Sequence, residues 1–143
     1  MTTHIAISWP EIRKYNFTNP PRIVLGRSLD IDSKYKKDSI SIKKNGSMER
    51  YLIEKYLSND NDYNMAINNY PYYLEEGINH YVIWFKKEKF DIYNNPGSIE
   101  KIIKEFIFEN ELGNSCNFIY YQNIEELRSI PSIPHVHVYI NNN

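Results

Sequence analysis

The run from Pro134 to Ile140, Pro-His-Val-His-Val-Tyr-Ile, constrains the fold more than any other stretch of this sequence. Side chains alternate between the two faces of a β-strand. One face of an extended run here is aliphatic and carries Val136, Val138 and Ile140. The other face is polar and carries His135, His137 and Tyr139. The run therefore predicts a strand with one face against a core and two imidazoles about 7 Å apart on the other.

Composition narrows the class of protein. A chain of 143 residues with 41% hydrophobic and 24% charged residues is typical of one globular domain. The net charge of −1 gives no electrostatic case for binding nucleic acid or an anionic membrane surface. No apolar run approaches the roughly 20 residues of a membrane span. We therefore expect neither nucleic acid nor membrane as a partner.

The termini and the single cysteine bear on the compartment. The N-terminal residues lack a basic segment followed by a long apolar one, so no signal peptide is expected. Cys116 alone excludes an intramolecular disulfide and a multi-cysteine zinc site. It is expected to be a small buried side chain rather than a nucleophile. A reducing, cytoplasmic location fits these features.

The first half of the chain is predicted to be mainly helical. Ser8 and Glu11 have the spacing of a capping box at the start of a short helix. Residues 28–44 are interpreted as partly helical, and Ser47 can cap another helix that runs to about Leu57. Residues 63–69 are interpreted as a further helical turn.

The second half is predicted to form a sheet and one long amphipathic helix. Residues 80–85 are apolar or aromatic on both faces, which favours a central strand. Residues 99–111 place isoleucines and a phenylalanine at helical spacing. Residues 116–121 indicate another strand before the histidine run. The expected fold is a single α+β domain over residues 1–143 with a mostly antiparallel sheet.

Several stretches together resemble an uncharacterised family. The clearest are Gly-Ile-Asn-His-Tyr-Val-Ile-Trp at 77–84, Leu-Arg-Ser-Ile-Pro at 127–131 and Pro-His-Val-His-Val at 134–138. Its members are best represented in fungi, are often labelled N-acetylglucosamine-induced protein, and carry a domain of unknown function. The resemblance covers nearly the whole chain. It implies a family without implying an activity.

The order of elements is also similar to that of histidine-triad hydrolases and nucleotidyl transferases. Those proteins have a strand that opens on a histidine, a helix, a strand that ends near an asparagine, and a final histidine strand. The resemblance implies that His137 attacks a phosphate, with support from His135 and Asn123. It also implies that His80 faces the phosphate. A phosphate-ester or anhydride hydrolase is the corresponding function.

Three departures accompany these resemblances. Tyr139 stands where the third histidine of a triad belongs. Residues 124–133 replace the glycine-rich run that precedes the triad. Residues 120–123, Tyr-Tyr-Gln-Asn, stand where the fungal family usually has a Trp-Phe-x-Asn-Pro-like run.

Two other interpretations of the histidines remain open. His80, His135 and His137 have the residue type and spacing to bind a divalent metal such as zinc, with an open fourth position for catalysis. Alternatively, the same side chains are structural and bond to carbonyls and tyrosine hydroxyls, in a binding or interaction protein without enzymatic activity. The oligomeric state is left open.

Further side chains are candidates for binding a small phosphate-bearing molecule. They are Asn123, Tyr139, Trp84 and Arg128. Arg27 and Arg128 can each bind an oxyanion through two parallel N–H groups, although a surface ion pair is the commoner use of arginine.

Overall fold

A four-stranded antiparallel sheet forms the centre of the protein, in a computed structural model that describes residues 2–113 and 117–142. Its strands are β1 (Tyr63–Ile67), β2 (Ile78–Phe85), β3 (Asn117–Tyr121) and β4 (His135–Asn141). Their spatial order is β1-β2-β4-β3, which places the two histidine-bearing strands side by side in the middle. The α+β class is confirmed. The expected position of Cys116 at a strand start lies outside the described residues.

Helices and short 3₁₀ turns make up the other regular structure. They are α1 (Trp9–Ile12), α2 (Leu29–Lys44), α3 (Met48–Tyr56), α4 (Phe90–Tyr93) and α5 (Pro96–Glu109), with 3₁₀ turns at Lys87–Lys89 and Glu125–Leu127. The predicted caps at Ser8 and Ser47 are confirmed, and Ser8 forms the full capping box with Glu11. Within the described ranges, no helix is both long and apolar enough to cross a membrane.

The prediction of a helical turn at residues 63–69 is wrong, because the segment contains β1. Met65 pairs with Ile83 of β2, and the Lys86 N–H donates to the Asp62 carbonyl at 3.0 Å. Five residues are too few for periodicity to separate a strand from a helical turn. Pairing with the long, buried β2 decides the conformation, and that pairing is not a local property.

The aliphatic face of the sheet packs against α5. Val136, Val138 and Ile140 of β4 are fully buried there together with Ile99 and Ile103 of α5. Burying a branched aliphatic side chain stabilises the fold by roughly 1.5–3 kcal/mol. This side therefore supplies the main core, as the alternation along the last strand predicts.

The histidine face is also covered, which makes β4 buried along its whole length. The cover comes from the N-terminal half and the segment before β2. Ile12 and Leu25 pack there with Tyr72 and Tyr139 in a second apolar cluster. The histidines are thus enclosed between the sheet and the N-terminal half.

Candidate functional site

The strand register gathers the three predicted histidines on one face. His137 lies opposite Val82 on β2, and His80 lies opposite Tyr139 on β4. The rings of His80 and His137 are 5.1 Å apart, and those of His135 and His137 are 5.5 Å apart. Only 1% of His80 and 7% of each of the other two is exposed. The three imidazoles therefore lie close together on this face.

A backbone hydrogen bond fixes the tautomer of His80. The N–H of Tyr72 donates to Nδ1 of His80 at 3.2 Å, so Nδ1 carries the lone pair and Nε2 carries the proton. The Nε2–H group then donates to Nδ1 of His137 at 2.9 Å. Nδ2 of Asn68 lies farther from the same Nε2, at 3.4 Å. The shorter contact is the one with complementary donor and acceptor.

The same logic continues through His137 to Asn123. Since Nδ1 of His137 accepts a proton, its Nε2 carries one and faces the Asn123 amide, whose Nδ2 lies 3.1 Å away. Rotating the Asn123 amide by about 180° exchanges Nδ2 and Oδ1, so that Oδ1 accepts this N–H. The amide N–H₂ is then free to donate to the Tyr72 hydroxyl, which also bonds the Asn123 side chain. The network thus begins at the backbone N–H of Tyr72 and ends at the hydroxyl of the same residue.

Burial keeps the paired imidazoles uncharged. Burial, with a smaller contribution from the Arg27 guanidinium, lowers the pKa of His80 to about 3. Burial also holds the pKa of His137 well below its ordinary value, with smaller contributions from the charges of His80 and His135. Both side chains are therefore neutral hydrogen-bonding groups at pH 7.

His135 differs from the other two because one of its nitrogens is not engaged. Nδ1 lies 2.8 Å from the Ile133 carbonyl, so it carries the proton and donates it. Nε2 is left with a lone pair, and no described side chain or backbone group bonds to it. Burial lowers the pKa of His135, so this lone pair is available at neutral pH. The geometry favours His135 over His137 as the imidazole able to contact a ligand.

Tyr139 belongs to the core rather than to a ligand site. Its hydroxyl lies 2.6 Å from that of Tyr121, and both side chains are fully buried. Its ring stacks on His80 at 4.5 Å. The residue at the third triad position therefore closes the histidine face instead of opening it to a substrate.

Trp84 and Arg128 hold neighbouring groups. The Trp84 ring stacks on Tyr56 of α3 at 5.4 Å and lies 5.0 Å from the His135 ring. Arg128 donates from Nε to the Asn123 carbonyl at 2.9 Å. Trp84 thus joins α3 to the sheet, and Arg128 fixes the backbone that presents the Asn123 amide.

A cavity of about 90 Å³ opens beside His135 and His137, and we call it the arginine pocket. Its polar and charged lining consists of Arg27, Tyr51, Lys55, Tyr56, Asn68, Asn69, Tyr70, Ser129, His135 and His137. Two of these side chains are cationic, and none of the lining residues is acidic. The lining therefore favours an anion.

Arg27 is held at this pocket by groups that form no direct ion pair with it. Its Nε donates to the Tyr70 carbonyl at 2.8 Å, and its guanidinium lies 4.4 Å from the Tyr35 ring centre. No ion pair joins it to a carboxylate in the described part of the chain. Sequence reasoning identified Arg27 as an anion-binding candidate, but Lys55 was missed because only long-range packing brings it here.

The metal interpretation finds little support in the geometry. Across residues 2–113 and 117–142, no group of three His, Cys, Asp or Glu side chains is arranged to hold a metal ion. His80 and His137 direct nitrogens at each other across a hydrogen bond, not at a shared open point. Both nitrogens of each ring are used within the protein.

A family model described as a protein of unknown function (DUF3605) matches residues 8–141. The chain belongs to this family. The DUF3605 match includes the sheet, the histidine strand and the arginine pocket. It confirms the resemblance drawn from residues 77–84 and 134–138, whereas the similarity to histidine-triad proteins stays a prediction.

Two individual proteins are similar to this DUF3605 chain. N-acetylglucosamine-induced protein 1 of Candida albicans is 28% identical over 96 residues, which cover 62% of this chain and 38% of that protein. The match thus spans well under half of the relative's length. A crystal structure of HTC1 aligns with a TM-score of 0.58 at 18% identity, over 94% of this chain and 84% of the other. At that identity the likeness shows a shared fold.

Proposed function

We propose that this protein binds a small phosphate-bearing molecule in the arginine pocket. The observation that carries the proposal is the charge of the lining, which contains Arg27 and Lys55 and no carboxylate. A guanidinium can bind two phosphate oxygens through parallel N–H groups, and a lysine ammonium adds a point charge. An oxyanion would supply the direct ion pair that Arg27 lacks among the described residues.

The neutral histidines suit the same ligand. They add no charge, so the cationic character of the pocket does not vanish as pH rises past 7. The pocket's tyrosine and serine hydroxyls offer hydrogen bonds to phosphate oxygens, and the lone pair on Nε2 of His135 can accept one from a ligand hydroxyl. The partly buried surroundings strengthen each of these bonds relative to water.

The size of the pocket limits what it can enclose. A volume of about 90 Å³ equals that of roughly three water molecules, whereas drug-sized ligands occupy about 300–1,000 Å³. The pocket thus suits a phosphate group with the rest of the molecule outside. Enclosing a whole nucleotide would require α3 to move away from the sheet.

Hydrolysis of a phosphate ester or anhydride is the enzymatic form of this proposal. His135 favours it, because this residue lines the same pocket as Arg27 and its Nε2 is not engaged by a described group. The lone pair on Nε2 would form a bond to phosphorus while the bond to the leaving oxygen breaks, and that oxygen takes a proton from water. Water would then attack phosphorus and break the P–N bond, releasing phosphate and restoring the imidazole.

Calorimetric or NMR titration with phosphorylated compounds tests the binding proposal. The panel contains inorganic phosphate, sugar phosphates and nucleotides. The name of the Candida relative makes N-acetylglucosamine 6-phosphate a natural member, with N-acetylglucosamine as its uncharged control. Arg27→Gln should weaken binding of phosphorylated members at least about ten-fold. The exposed Arg22→Gln is the matched control and should leave affinity unchanged. Equal weakening by both variants, or no binding at millimolar ligand, contradicts the proposal.

Turnover is measured separately. Phosphate release by the wild type, loss of release in His135→Gln and retained binding in that variant would support the enzymatic form. If ligands bind tightly but no phosphate is released, the protein is a binding module and the hydrolase form is wrong. Release that persists in His135→Gln and disappears in His137→Gln would restore His137 as the nucleophile.

A further inference from the structure

We propose that the free edge of β1 and the adjacent side of α5 form a docking groove for an extended, basic peptide that adds to the sheet as a fifth strand. The feature is a cleft of about 510 Å³ that none of the histidines lines. The lining consists of Asp60, Asn61, Asp62, Tyr63, Asn64, Met65, Ile102, Glu105, Phe106 and Glu109. We call it the edge groove.

The backbone of β1 is suited to strand addition. The Lys86 N–H donates to the Asp62 carbonyl, and the Asn68 N–H donates to the His80 carbonyl. Even-numbered residues of this segment therefore direct their polar groups at β2. Because the pattern alternates, Tyr63, Met65 and Ile67 direct theirs outward. No other strand pairs with this edge in the part of the chain that the structure describes.

Nothing within β1 protects this edge against pairing. Natural edge strands are commonly protected by a charged residue or a proline. The sequence of β1, Tyr-Asn-Met-Ala-Ile, contains neither. An outward row of unpaired backbone groups on such a strand is what β-strand addition uses for affinity.

The charge of the groove selects the partner. Asp60, Asp62, Glu105 and Glu109 all line it. Asp62 has Lys89 at 3.7 Å, whereas the other three form no ion pair with a described residue. The carboxylates of Glu105, Glu109 and Asp62 also contribute, after burial, to raising the pKa of Tyr63 on the groove floor. A second copy of this chain would bring a second set of carboxylates, so a basic peptide is favoured over self-association.

The spacing of the acidic side chains suggests the peptide pattern. Glu105 and Glu109 lie one turn apart on α5, where side chains are about 5–6 Å apart. Alternate residues of a strand share a face at a spacing of about 7 Å. Lysine or arginine at every second position can therefore meet both glutamates, with Tyr63 and Met65 beneath the intervening backbone.

A labelled peptide of alternating lysine and valine is the probe, titrated into the full chain and followed by fluorescence anisotropy. Binding should weaken about five-fold in Glu105→Gln/Glu109→Gln. The matched control, Glu125→Gln/Glu126→Gln, removes the same charge outside the groove and should bind as the wild type. A peptide N-methylated at alternate amides should not bind, because it cannot form the strand ladder.

Amide hydrogen exchange supplies the position-specific readout. Bound peptide should newly protect the amides of Tyr63, Met65 and Ile67, while those of Asn64 and Ala66, already bonded to β2, should change little. Absence of binding at millimolar peptide, or undiminished binding of the N-methylated peptide, would overturn the proposal. Protection of the same amides on raising protein concentration without peptide would identify a second copy as the occupant instead.

Discussion

Nε2 of His80 lies 2.9 Å from Nδ1 of His137, so the imidazoles of two adjacent central strands share one hydrogen bond beneath the N-terminal half. The bond requires an unprotonated Nδ1 on His137, and the Tyr72 N–H requires an unprotonated Nδ1 on His80. A second proton on either ring would place donor against donor. The folded state therefore depends on both rings being neutral.

Acid should destabilise the fold well before its carboxylates titrate. The pKa of His80 is about 3 in the folded state and 6.5 ordinarily, and those of His135 and His137 are also lowered. The unfolded chain therefore binds more protons, and stability falls as pH decreases from 6.5 towards 3. Each histidine contributes about 1.4 kcal/mol per pH unit within its window. Urea unfolding at pH values between 6.5 and 5 measures the slope.

A variant without the titrating ring tests the assignment to His80. His80→Asn should reduce the pH slope by about one proton. A wild-type free energy of unfolding that does not vary between pH 6.5 and 5 would show that the histidines titrate alike in the folded and unfolded states.

The tautomers can be read directly by two-bond ¹H–¹⁵N correlation spectra of labelled protein. His80 and His137 should carry their proton on Nε2, and His135 should carry its proton on Nδ1, since the Ile133 carbonyl accepts it. If His137 carries its proton on Nδ1 instead, the hydrogen bonds of the network run in the opposite direction. Nε2 of His137 would then hold a lone pair and would again be a candidate nucleophile. The exposed His4 serves as the internal reference for a ring without a fixed partner.

Local sequence patterns predicted the helices and strands that are determined by a few neighbouring residues. Ser8 with Glu11 and Ser47 predicted helix starts, and the isoleucine spacing predicted α5, which begins at Pro96 rather than Ile99 and ends at Glu109. Alternation along β4 predicted which side chains face α5. In these cases, capping geometry or periodicity alone determines the outcome.

The remaining features depend on contacts between distant parts of the chain. The N-terminal half covers the histidine face, so the imidazoles expected at an open pocket are mostly enclosed. The arginine pocket forms only where α3, the segment before β2 and Arg27 come together. No local sequence pattern predicts that contact. No pattern in the sequence indicates that the backbone N–H of Tyr72 decides the tautomer of His80.

Gly26 should not tolerate a side chain unless space is made for it. A Cβ at this position would lie 2.9 Å from both Cβ and Cγ2 of Thr3, on the segment whose N–H donates to the Arg27 carbonyl. Gly26→Ala should lower the free energy of unfolding by about 1–3 kcal/mol. Adding Thr3→Gly removes both clashing atoms and should restore much of the loss. Chemical unfolding of the single and double variants tests this, and an unchanged loss in the double variant would exclude the clash as its cause.

The hydroxyls of Tyr121 and Tyr139, 2.6 Å apart in the second core cluster, should be strongly coupled. Removing one leaves the other without this partner in a fully buried site, which costs about 1–3 kcal/mol. Tyr121→Phe and Tyr139→Phe should each be destabilising by this amount. The double variant should lose less than their sum, because no polar group is then left unpaired. Urea unfolding of all four proteins gives the coupling energy, and additive losses would mean that each hydroxyl finds another partner. The result also bears on the histidine-triad similarity, since Tyr139→His would break this pair and place an imidazole in a fully buried site. That variant should be less stable than Tyr139→Phe, and it should not gain phosphate-ester hydrolysis.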